Sequence, residues 1–585
     1  MKKFWFVAVF NLCFLCLTTF ISSGLSAEEI EGTLEVLMAT EMRSGKCEPL
    51  YFIKSEEKRT QFSPPADAPS LAPGQRIKIS GQWDADDGKS FRCGKVELSA
   101  TPAKKKRVST EDTDISIYLP EQSPVIGPQK TLVVLVSFSD HGLPGWGKAE
   151  MDNKVFRSAP TNEYPNDHSD NAFWKGCSEE KMWLTGECLD GWKKMLNPSS
   201  EYGYGTDEEI NRISALMYDV INMLDQHIDF REWEGGRIVF MRTGKGWRYA
   251  FGTLGQWPFS TNEGQINLAL AIVSEICLPL KTLYISHELG HGLGLLHADG
   301  RRVSTGEFKG YGDDHSAMGG SGLALVDNLA KYRLGWLDTS QIKLISADGE
   351  YWLDQRELTS AGIKLLVIFL GYDGDKNPLL YSLEYFRELG EFDSQVFSSF
   401  EVEEKRKVVL MRKHERDLSR FSDSLVYLDD NDIPVLGLMQ EYCDSDYANA
   451  QYEYERYGVC FKVTEKTGEG PNSQAKVGIR FTKVVGEVSE IKLTFADIKR
   501  GKLFLLKGKI ATVTAKVLDK EGAPVPGIAI GTGISNTKVS ISPSGALSNE
   551  EGSAEFTVTA GNTRGGAKIS FTSQEVKKIL RVKVK

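Results

Sequence analysis

The sequence predicts a multidomain α+β protein, in which a central region with a twisted sheet and a long helix is flanked by all-β domains. At 585 residues the chain has room for roughly three to five domains. Short apolar runs alternate with Gly, Pro and Asp turns near both ends of the chain, which is typical of strands. Between them, residues 207–227 carry apolar side chains at helical spacing, at Ile210, Ile213, Met217 and Ile221.

The N-terminus has the layout of a secretory signal peptide over residues 1–27. Lys2 and Lys3 precede an apolar run that begins at Phe4, and small residues end at Ala27. A retained membrane anchor is the alternative, because the apolar run is nearly long enough to span a bilayer. We therefore expect a secreted or extracytoplasmic protein. The formal net charge of −10, without a dominant basic stripe, argues against a nucleic-acid partner.

The cysteines are interpreted as a partial disulfide framework, because an exported protein can form disulfides. Cys13 and Cys16 fall within the signal segment, so seven of the nine cysteines remain. Local spacing suggests the pairs Cys47–Cys93, Cys177–Cys188 and Cys443–Cys460, with Cys277 as a buried thiol. Spacing alone does not fix this connectivity.

The first part of the mature chain is predicted to be a small β-barrel followed by a linker. Residues 28–101 cluster apolar residues between turn signals, which suits a barrel of the OB type serving as an N-terminal domain or pro-domain. Residues 102–128 contain a proline and the basic run Lys104–Arg107. This run is either a processing site or part of a solvated connector.

The central region is predicted to span residues 129–340. A buried strand at Lys130–Asp140 opens it, and a second strand is predicted at 236–243. A long helix is predicted from about Ile272 to Gly294. This region supplies the helical part of the predicted α+β fold.

Two further β-domains are predicted after the central region. Residues 341–486 return to strand-like runs and are interpreted as a β-sandwich or jelly roll. Residues 487–585 alternate plainly between apolar and polar side chains, and they resemble bacterial Ig-like domains of the invasin type. That resemblance implies contact with a cell surface or matrix through this domain.

The segment "HELGHGLGLLH" is the strongest chemical signal in the chain, since it places three of the eight histidines within eleven positions. Residues four apart share one face of a helix, so His287 and His291 can bind one metal ion. Glu288 would flank that ion as a general base for a metal-bound water. Gly294 would end the helix and let the chain turn back, so that His297 supplies a third nitrogen. The predicted cofactor is one catalytic Zn²⁺ with an open fourth position.

The full motif H-E-x-x-H-x-x-G-x-x-H matches the metzincin zinc peptidases, and further segments resemble the gametolysin family among them. Those segments are "LVVLVSFSD", "NAFWKGCSEEKMWLTGECLDGW", "YGDDHSAMGG" and "NLAKYRLGWL", with "LLYSLEYFRELGEFDS" beyond them. The resemblance implies a metzincin-like catalytic domain with a long active-site helix. It also implies that Met318 forms a methionine turn beneath the histidines.

The function that this resemblance implies is a secreted zinc endopeptidase, which hydrolyses extracellular or cell-surface proteins with Glu288 as its base. Tyr311 and Tyr332 are candidates for stabilising the oxyanion. His315 departs from the family pattern, either as a rival ligand or in a supporting role. An Arg-Cys-Gly segment at Cys93 could hold the zinc in a latent state, but a disulfide is the preferred interpretation.

The alternative function is a surface adhesion or binding protein whose peptidase domain is incidental or latent, which the flanking β-domains suggest. The intact Glu288 favours the enzyme. We expect a monomer that contacts a protein or peptide substrate. Calcium is a weaker cofactor candidate at Trp83–Asp87 and Asp429–Asp432, where surface turns are the preferred explanation of the acidic residues.

Overall fold

The computed structural model describes most of residues 28–98, 124–157, 169–275, 283–387 and 407–585, together with Phe392. Short stretches within these ranges and all residues outside them are not described. The signal segment, the basic run Lys104–Arg107, Cys277 and both acidic calcium candidates, at 84–87 and 429–432, lie outside the described residues.

The predicted α+β fold class is wrong, because the described part of the chain is mostly β-strand, with few helices. The described α-helices are α1 Lys148–Phe156, α2 Asp170–Cys177, α3 Glu209–Leu224, α4 Leu283–Gly292 and α5 Asn328–Arg333. Short 3₁₀ turns occupy Ser199–Tyr202, Phe230–Trp233 and Thr339–Gln341. Among the described residues, no helix is both long enough and apolar enough to cross a membrane.

The first sheet joins the N-terminal region to the central region. Its strands are β1 Glu28–Glu41, β2 Cys47–Lys54, β3 Arg59–Ser63, β4 Arg76–Trp83, β5 Phe91–Leu98, β6 Gly127–Ser137, β7 Met182–Cys188, β8 Lys193–Lys194, β9 Arg237–Arg242, β10 Tyr249–Thr253, β11 Trp257–Thr261 and β12 Gly264–Ser274. Their order is β2-β3-β5-β4-β1-β10-β12-β9-β6-β7, with β11 beside β12 and β8 beside β6. The N-terminal strands therefore continue the central sheet through the antiparallel pairing of β1 with β10.

The predicted long helix from Ile272 to Gly294 is wrong. Residues up to Ser274 form β12, which lies between β9 and β10, and the motif helix α4 is ten residues long. Ile272 and Val273 are fully buried in that strand. A short apolar run buried on both faces has no amphipathic period, so its sequence does not separate strand from helix.

Two packed sheets follow the central region. The second sheet contains β13 His297–Arg302, β14 Phe308–Lys309, β15 Ile342–Ile345, β17 Leu365–Tyr372, β18 Pro378–Arg387, β19 Lys407–His414 and β20 Ser422–Leu428. The third contains β16 Gly349–Asp354, β21 Glu441–Asp444, β22 Tyr457–Thr467 and β23 Gln474–Lys483. Their orders are β14-β13-β20-β19-β18-β17-β15 and β16-β23-β22-β21. One apolar core lies between them, with Leu366 and Tyr381 from one sheet and Phe461 and Val477 from the other.

The C-terminal domain is a sandwich of two further sheets. One contains β24 Glu490–Phe495, β27 Ile510–Leu518, β29 Val539–Ser542 and β31 Ser553–Ala560. The other contains β25 Ile498–Lys499, β26 Lys502–Leu505, β28 Ala529–Ile534, β30 Gly545–Leu547, β32 Gly565–Ser573 and β33 Val576–Val584. The core between these sheets is built entirely from residues of this domain, with Phe556 and Phe571 near its centre. The domain therefore has the internal packing that an independently folding unit needs.

The structure differs from the proposed disulfide framework at two of its three pairs. Cys177 and Cys188 are buried thiols and do not form a disulfide with each other. Cys93 is also a thiol and lies 3.1 Å from the carbonyl of Lys95. Cys460 is disulfide-bonded, and Cys443 lies directly opposite it in the ladder between β21 and β22.

Candidate metal centre

Helix α4 carries the first two motif histidines against the first sheet, and two glycines permit this close approach. A Cβ at Gly252 on β10 would lie 2.8 Å from a carboxylate oxygen of Glu288, and a Cβ at Gly290 would lie 2.6 Å from the sulfur of Met318. Neither distance leaves space for a side chain. The helix is therefore held between β10 on one side and Met318 on the other.

The chain turns back at Gly294, which adopts φ +87°, a left-handed conformation that glycine accepts at little cost. The amide of Gly294 donates to the carbonyl of His291, and the amide of Leu295 donates to Gly290. This closes the helix as a Schellman-type turn would. His297 then begins β13, which pairs in parallel with β20 of the second sheet. The third histidine thus belongs to a different sheet from the one that supports α4.

The three histidines converge as a metal-binding set, with one candidate ligand atom from each lying within 4.8 Å of the others. Among the described residues this is the only such group. The Nδ1 atoms of His287 and His291 lie 2.9 and 2.8 Å from the carbonyls of Ala317 and Leu295. These contacts favour the tautomer that leaves each Nε2 as a free lone pair.

The histidine nitrogens that lack a hydrogen-bond partner between these three side chains could bind a cation. The Nε2 atoms of His287 and His291 are buried without a hydrogen-bond partner, and the Glu288 carboxylate is fully buried beside them. Buried polar groups are rarely left unsatisfied, so several such atoms facing one space call for a ligand. Imidazole nitrogens suit zinc, and three of them leave a fourth position open, so the residues present fit a single Zn²⁺ ion.

Burial sets the ionisation of this group. It lowers the pKa of His287 to about 4 and holds the pKa values of His291 and His297 well below 6.5, so these side chains are neutral, as metal ligands must be. Burial likewise raises the pKa of Glu288 well above its ordinary value, and the nearby Thr40 hydroxyl offsets part of that rise. A carboxyl group whose protonated form is favoured by burial can take part in proton transfer beside a metal-bound water.

The two candidate oxyanion tyrosines are separated by the fold. The Tyr311 hydroxyl lies 3.1 Å from Nε2 of His297 and 3.2 Å from the Thr40 hydroxyl. Tyr311 also adopts φ +54°, a strained conformation for a residue with a side chain, and such strain is concentrated at functional sites. Tyr332 instead packs with Leu329 and Leu365 in a separate apolar cluster, so the structure does not bring it to the histidines.

Met318, the residue of the predicted methionine turn, is buried beneath α4 at Gly290. The loop that carries it is tied to β13, since the amide of Ala298 donates to the Met318 carbonyl at 2.9 Å. His315 in the same loop is buried against the ring of Phe386 and is not part of the metal-binding group. Its role is to pack this loop onto the second sheet.

A buried ionic network, which the sequence did not reveal, anchors this loop. Arg412 on β19 binds Asp313 at 2.5 Å and also binds Glu384 on β18. Arg356 binds the same Glu384 oxygen at 3.0 Å. Asp313 in turn accepts a 2.9 Å hydrogen bond from the amide of His315. All four charged side chains are fully buried, so the second sheet directly fixes the methionine loop.

The N-terminal region covers the other side of the centre. Strand β1 pairs with β10 over Leu37–Glu41, which brings Thr40 to Tyr311 and Glu288. Leu296, next to His297, packs into the apolar core of the N-terminal strands. The four motif residues consequently retain at most 3% exposure.

Arg59 locks the N-terminal region onto the central region. It binds Glu35 within the N-terminal strands, and it donates to the Tyr218 hydroxyl at 2.7 Å and the Pro258 carbonyl at 3.1 Å. Its guanidinium also lies 4.8 Å from the ring centre of Trp257. The cover over the metal centre is therefore packed in place. Cys93, the alternative latency residue, lies within the N-terminal core and not in the metal-binding group.

Comparisons with known proteins give matches of low similarity among solved structures. No family model matches the chain. No curated protein matches it either. Among solved structures, an Escherichia coli adhesin, FdeC, is 16% identical over 30% of this chain and 58% of its own, with a TM-score of 0.17.

Two further solved structures are an S-layer protein fragment and an intimin fragment. Domains 5–6 of the S-layer protein SbsC are 20% identical over 17% of this chain and 44% of that fragment, with a TM-score of 0.14. A C-terminal intimin fragment in complex with the intimin-binding domain of its translocated receptor is 21% identical over 17% of this chain and 33% of its own, with a TM-score of 0.14. The chain thus spans less than half of these two.

The titles of these solved structures name an adhesin, an S-layer protein and intimin. The predicted secreted endopeptidase has no support among them, since none of the three titles is that of a peptidase. The metzincin part of the resemblance has no counterpart among them.

Proposed function

We propose that this chain is a surface adhesion or binding protein that carries a latent, peptidase-like zinc domain. The observation that supports this proposal is the closure of the metal centre. Glu288 and the three histidines are buried beneath Thr40 and Tyr311, and β1 occupies the edge of β10. An extended polypeptide would have to displace the chain's own strand to reach these residues.

The C-terminal sandwich is the part of the molecule that suits binding. Its apolar core consists only of residues of this domain, and each of its two sheets has an outer face of exposed side chains. It can therefore serve as a rigid module for contact, independent of the state of the metal centre.

His287, His291 and His297 would hold a Zn²⁺ ion in the proposed centre. When bound, the ion supplies Lewis acidity at its open position. Glu288 would hold a proton beside that position. The Tyr311 hydroxyl would lie next to it, at Nε2 of His297. The hydrolytic capacity expected from these residues stays a prediction, and in this conformation it is closed off.

The test compares the full chain with a chain that ends at residue 486. Sedimentation with cell-envelope fragments of the source organism should carry down the full chain, and the shortened chain should remain in solution. Zinc content should be about one ion per chain in both proteins. Neither should cleave unfolded casein.

Two results would overturn the proposal. Equal sedimentation of both proteins would remove the binding role of the C-terminal sandwich. Cleavage of casein by the purified full chain, abolished by Glu288→Ala, would show that the centre is open in solution and not latent.

A further inference from the structure

The outer face of one sheet of the C-terminal sandwich carries six cations. Alternate residues of β33 point into the core, as Leu580, Val582 and Val584 are buried. The residues of β33 that alternate with these three face outward, as do the residues opposite them on β26 and β32. Six of these outward-facing residues are basic. We call this set the basic face: Lys502, Lys568, Lys577, Arg581, Lys583 and Lys585.

The register concentrates these charges. Arg581 lies directly opposite Lys568 on β32 and directly opposite Lys502 on β26, so three cations form one row across three strands. Adjacent strands are about 4.8 Å apart, and alternate residues on one strand are about 6.8 Å apart. Like charges at directly opposite positions destabilise a sheet. This row therefore works against folding unless something anionic covers it.

Intramolecular partners do not offset this charge. Within the described residues, none of the six cations forms an ion pair with a carboxylate, and Lys585 lies 4.8 Å above the ring centre of Phe504. The chain as a whole has a formal charge of −10, so this face opposes the overall charge.

The opposite outer face of the same sandwich is balanced. Its outward charged residues are Glu490, Lys492, Lys516 and Glu555, and Lys492 pairs with Glu490 at 3.5 Å. The remaining outward positions of β27, β31 and β29 are mainly threonine and serine. The net positive charge of the sandwich is thus concentrated on the basic face. Solubility alone does not require such a concentration.

A strip of small residues lies beside the basic face. Gly566, Ser570 and Thr572 on β32 and Gly531 and Gly533 on β28 point outward next to the cations of β33. Because these side chains are small, the surface of the sheet forms a shallow depression along this strip. A polymer chain could lie in the depression with its anionic groups against the cations. Serine and threonine hydroxyls would be available to hydrogen-bond to sugar hydroxyls.

We propose that the basic face binds a linear acidic polysaccharide, one that carries carboxylate or sulfate groups along its length. A flat array of several cations suits a polymer of repeated charges better than a single small anion. A lipid surface fits less well, because Ile579 is the one large apolar side chain exposed on β33 and Phe504 is covered by Lys585. This inference rests on the proposed surface-binding function and names the class of its partner.

The experiment uses the full chain and two double variants that each remove two positive charges. Arg581→Gln/Lys583→Gln alters the basic face, and Lys492→Gln/Lys516→Gln alters the opposite face. Binding to immobilised polygalacturonate and heparin is measured as a function of salt. The unmodified chain should bind, and the Arg581/Lys583 variant should bind about 10-fold more weakly with a shallower salt dependence. The Lys492/Lys516 variant should stay within about twofold of the unmodified chain.

Three results would overturn the inference: no binding to either polysaccharide, equal weakening by both double variants, or binding only to phosphatidylserine vesicles. The proposed function is tested separately by sedimentation with envelope fragments. If the full chain sediments but the Arg581/Lys583 variant sediments equally well, the polysaccharide inference fails while the surface-binding function stands.

Discussion

Arg412 and Asp313 lie 2.5 Å apart, although 99 residues separate them in the chain. The contact joins the second sheet to the loop that carries Met318. Because Ala317 in this loop accepts the hydrogen bond from His287, the orientation of a metal ligand depends on a residue of the second sheet.

We predict that Arg412→Met weakens zinc binding by about 10- to 100-fold, because it leaves Asp313 and Glu384 buried with less compensation and loosens the loop. Competition with a chromophoric chelator measures the affinity. Arg356→Met is the matched control, since Arg356 binds Glu384, whereas Arg412 binds both Glu384 and Asp313. It should lower stability yet leave zinc affinity nearly unchanged. Equal loss of affinity in both variants would mean that the network acts only through global stability.

Zinc binding should require each motif histidine and not His315. We expect His291→Ala to lose stoichiometric zinc, whereas His315→Ala should retain about one ion per chain because its ring packs on Phe386. Metal analysis after dialysis distinguishes the two. Removing zinc with a chelator should also lower the melting temperature of the unmodified protein, since an ion that binds only the folded state stabilises it. Loss of zinc from the His315 variant would reveal an additional ligand.

Gly290→Ala should destabilise the protein, because the added methyl group would meet the Met318 sulfur at 2.6 Å. Overpacking of this kind costs about 1–3 kcal/mol. Chemical denaturation measures the change, and Gly310→Ala serves as a control because a Cβ there meets nothing within 4 Å. Pairing Gly290→Ala with Met318→Ala should recover part of the loss. An unchanged denaturation midpoint in Gly290→Ala would show that Met318 is not packed beneath the helix.

Stability should fall as the pH drops below about 4.5, in part because of Glu384. Burial would raise the pKa of this carboxyl, but Arg412 and Arg356 outweigh it and hold the pKa at about 2. Since the folded pKa is below the ordinary value of 4.5, the stabilisation is complete above pH 4.5 and is lost between pH 4.5 and 2. The contribution is on the order of 3 kcal/mol. Unfolding free energies of Glu384→Gln should depend less steeply on pH across this window; an identical slope would contradict the assignment.

Local signals in the sequence located much of the metal centre. The spacing of His287, His291 and His297 required one shared face and a turn, and glycine at 294 supplied the turn with φ +87°. The helical period at Ile213 and Met217 likewise predicted α3, which runs from Glu209 to Leu224. These features depend on residues within a few positions of one another, where sequence patterns carry information.

Other features depend on distant contacts and were not predictable. Nothing near Arg412 or Thr40 in the sequence distinguishes them from ordinary polar residues, and both reach the centre only through strand pairing. The long helix failed for a related reason: Ile272 and Val273 are apolar because β12 has neighbours on both sides. The apolar residues of this buried strand were therefore interpreted as the first part of the motif helix.

The division of the ligands between two sheets gives a bound ion a mechanical role. His287 and His291 belong to a helix packed on the first sheet, and His297 begins a strand of the second. An ion held by all three would cross-link two layers that otherwise meet through packing and buried charges. A pull transmitted from the C-terminal sandwich through the third sheet to the second would then load a nitrogen–metal bond, so a bound ion would resist separation of the layers.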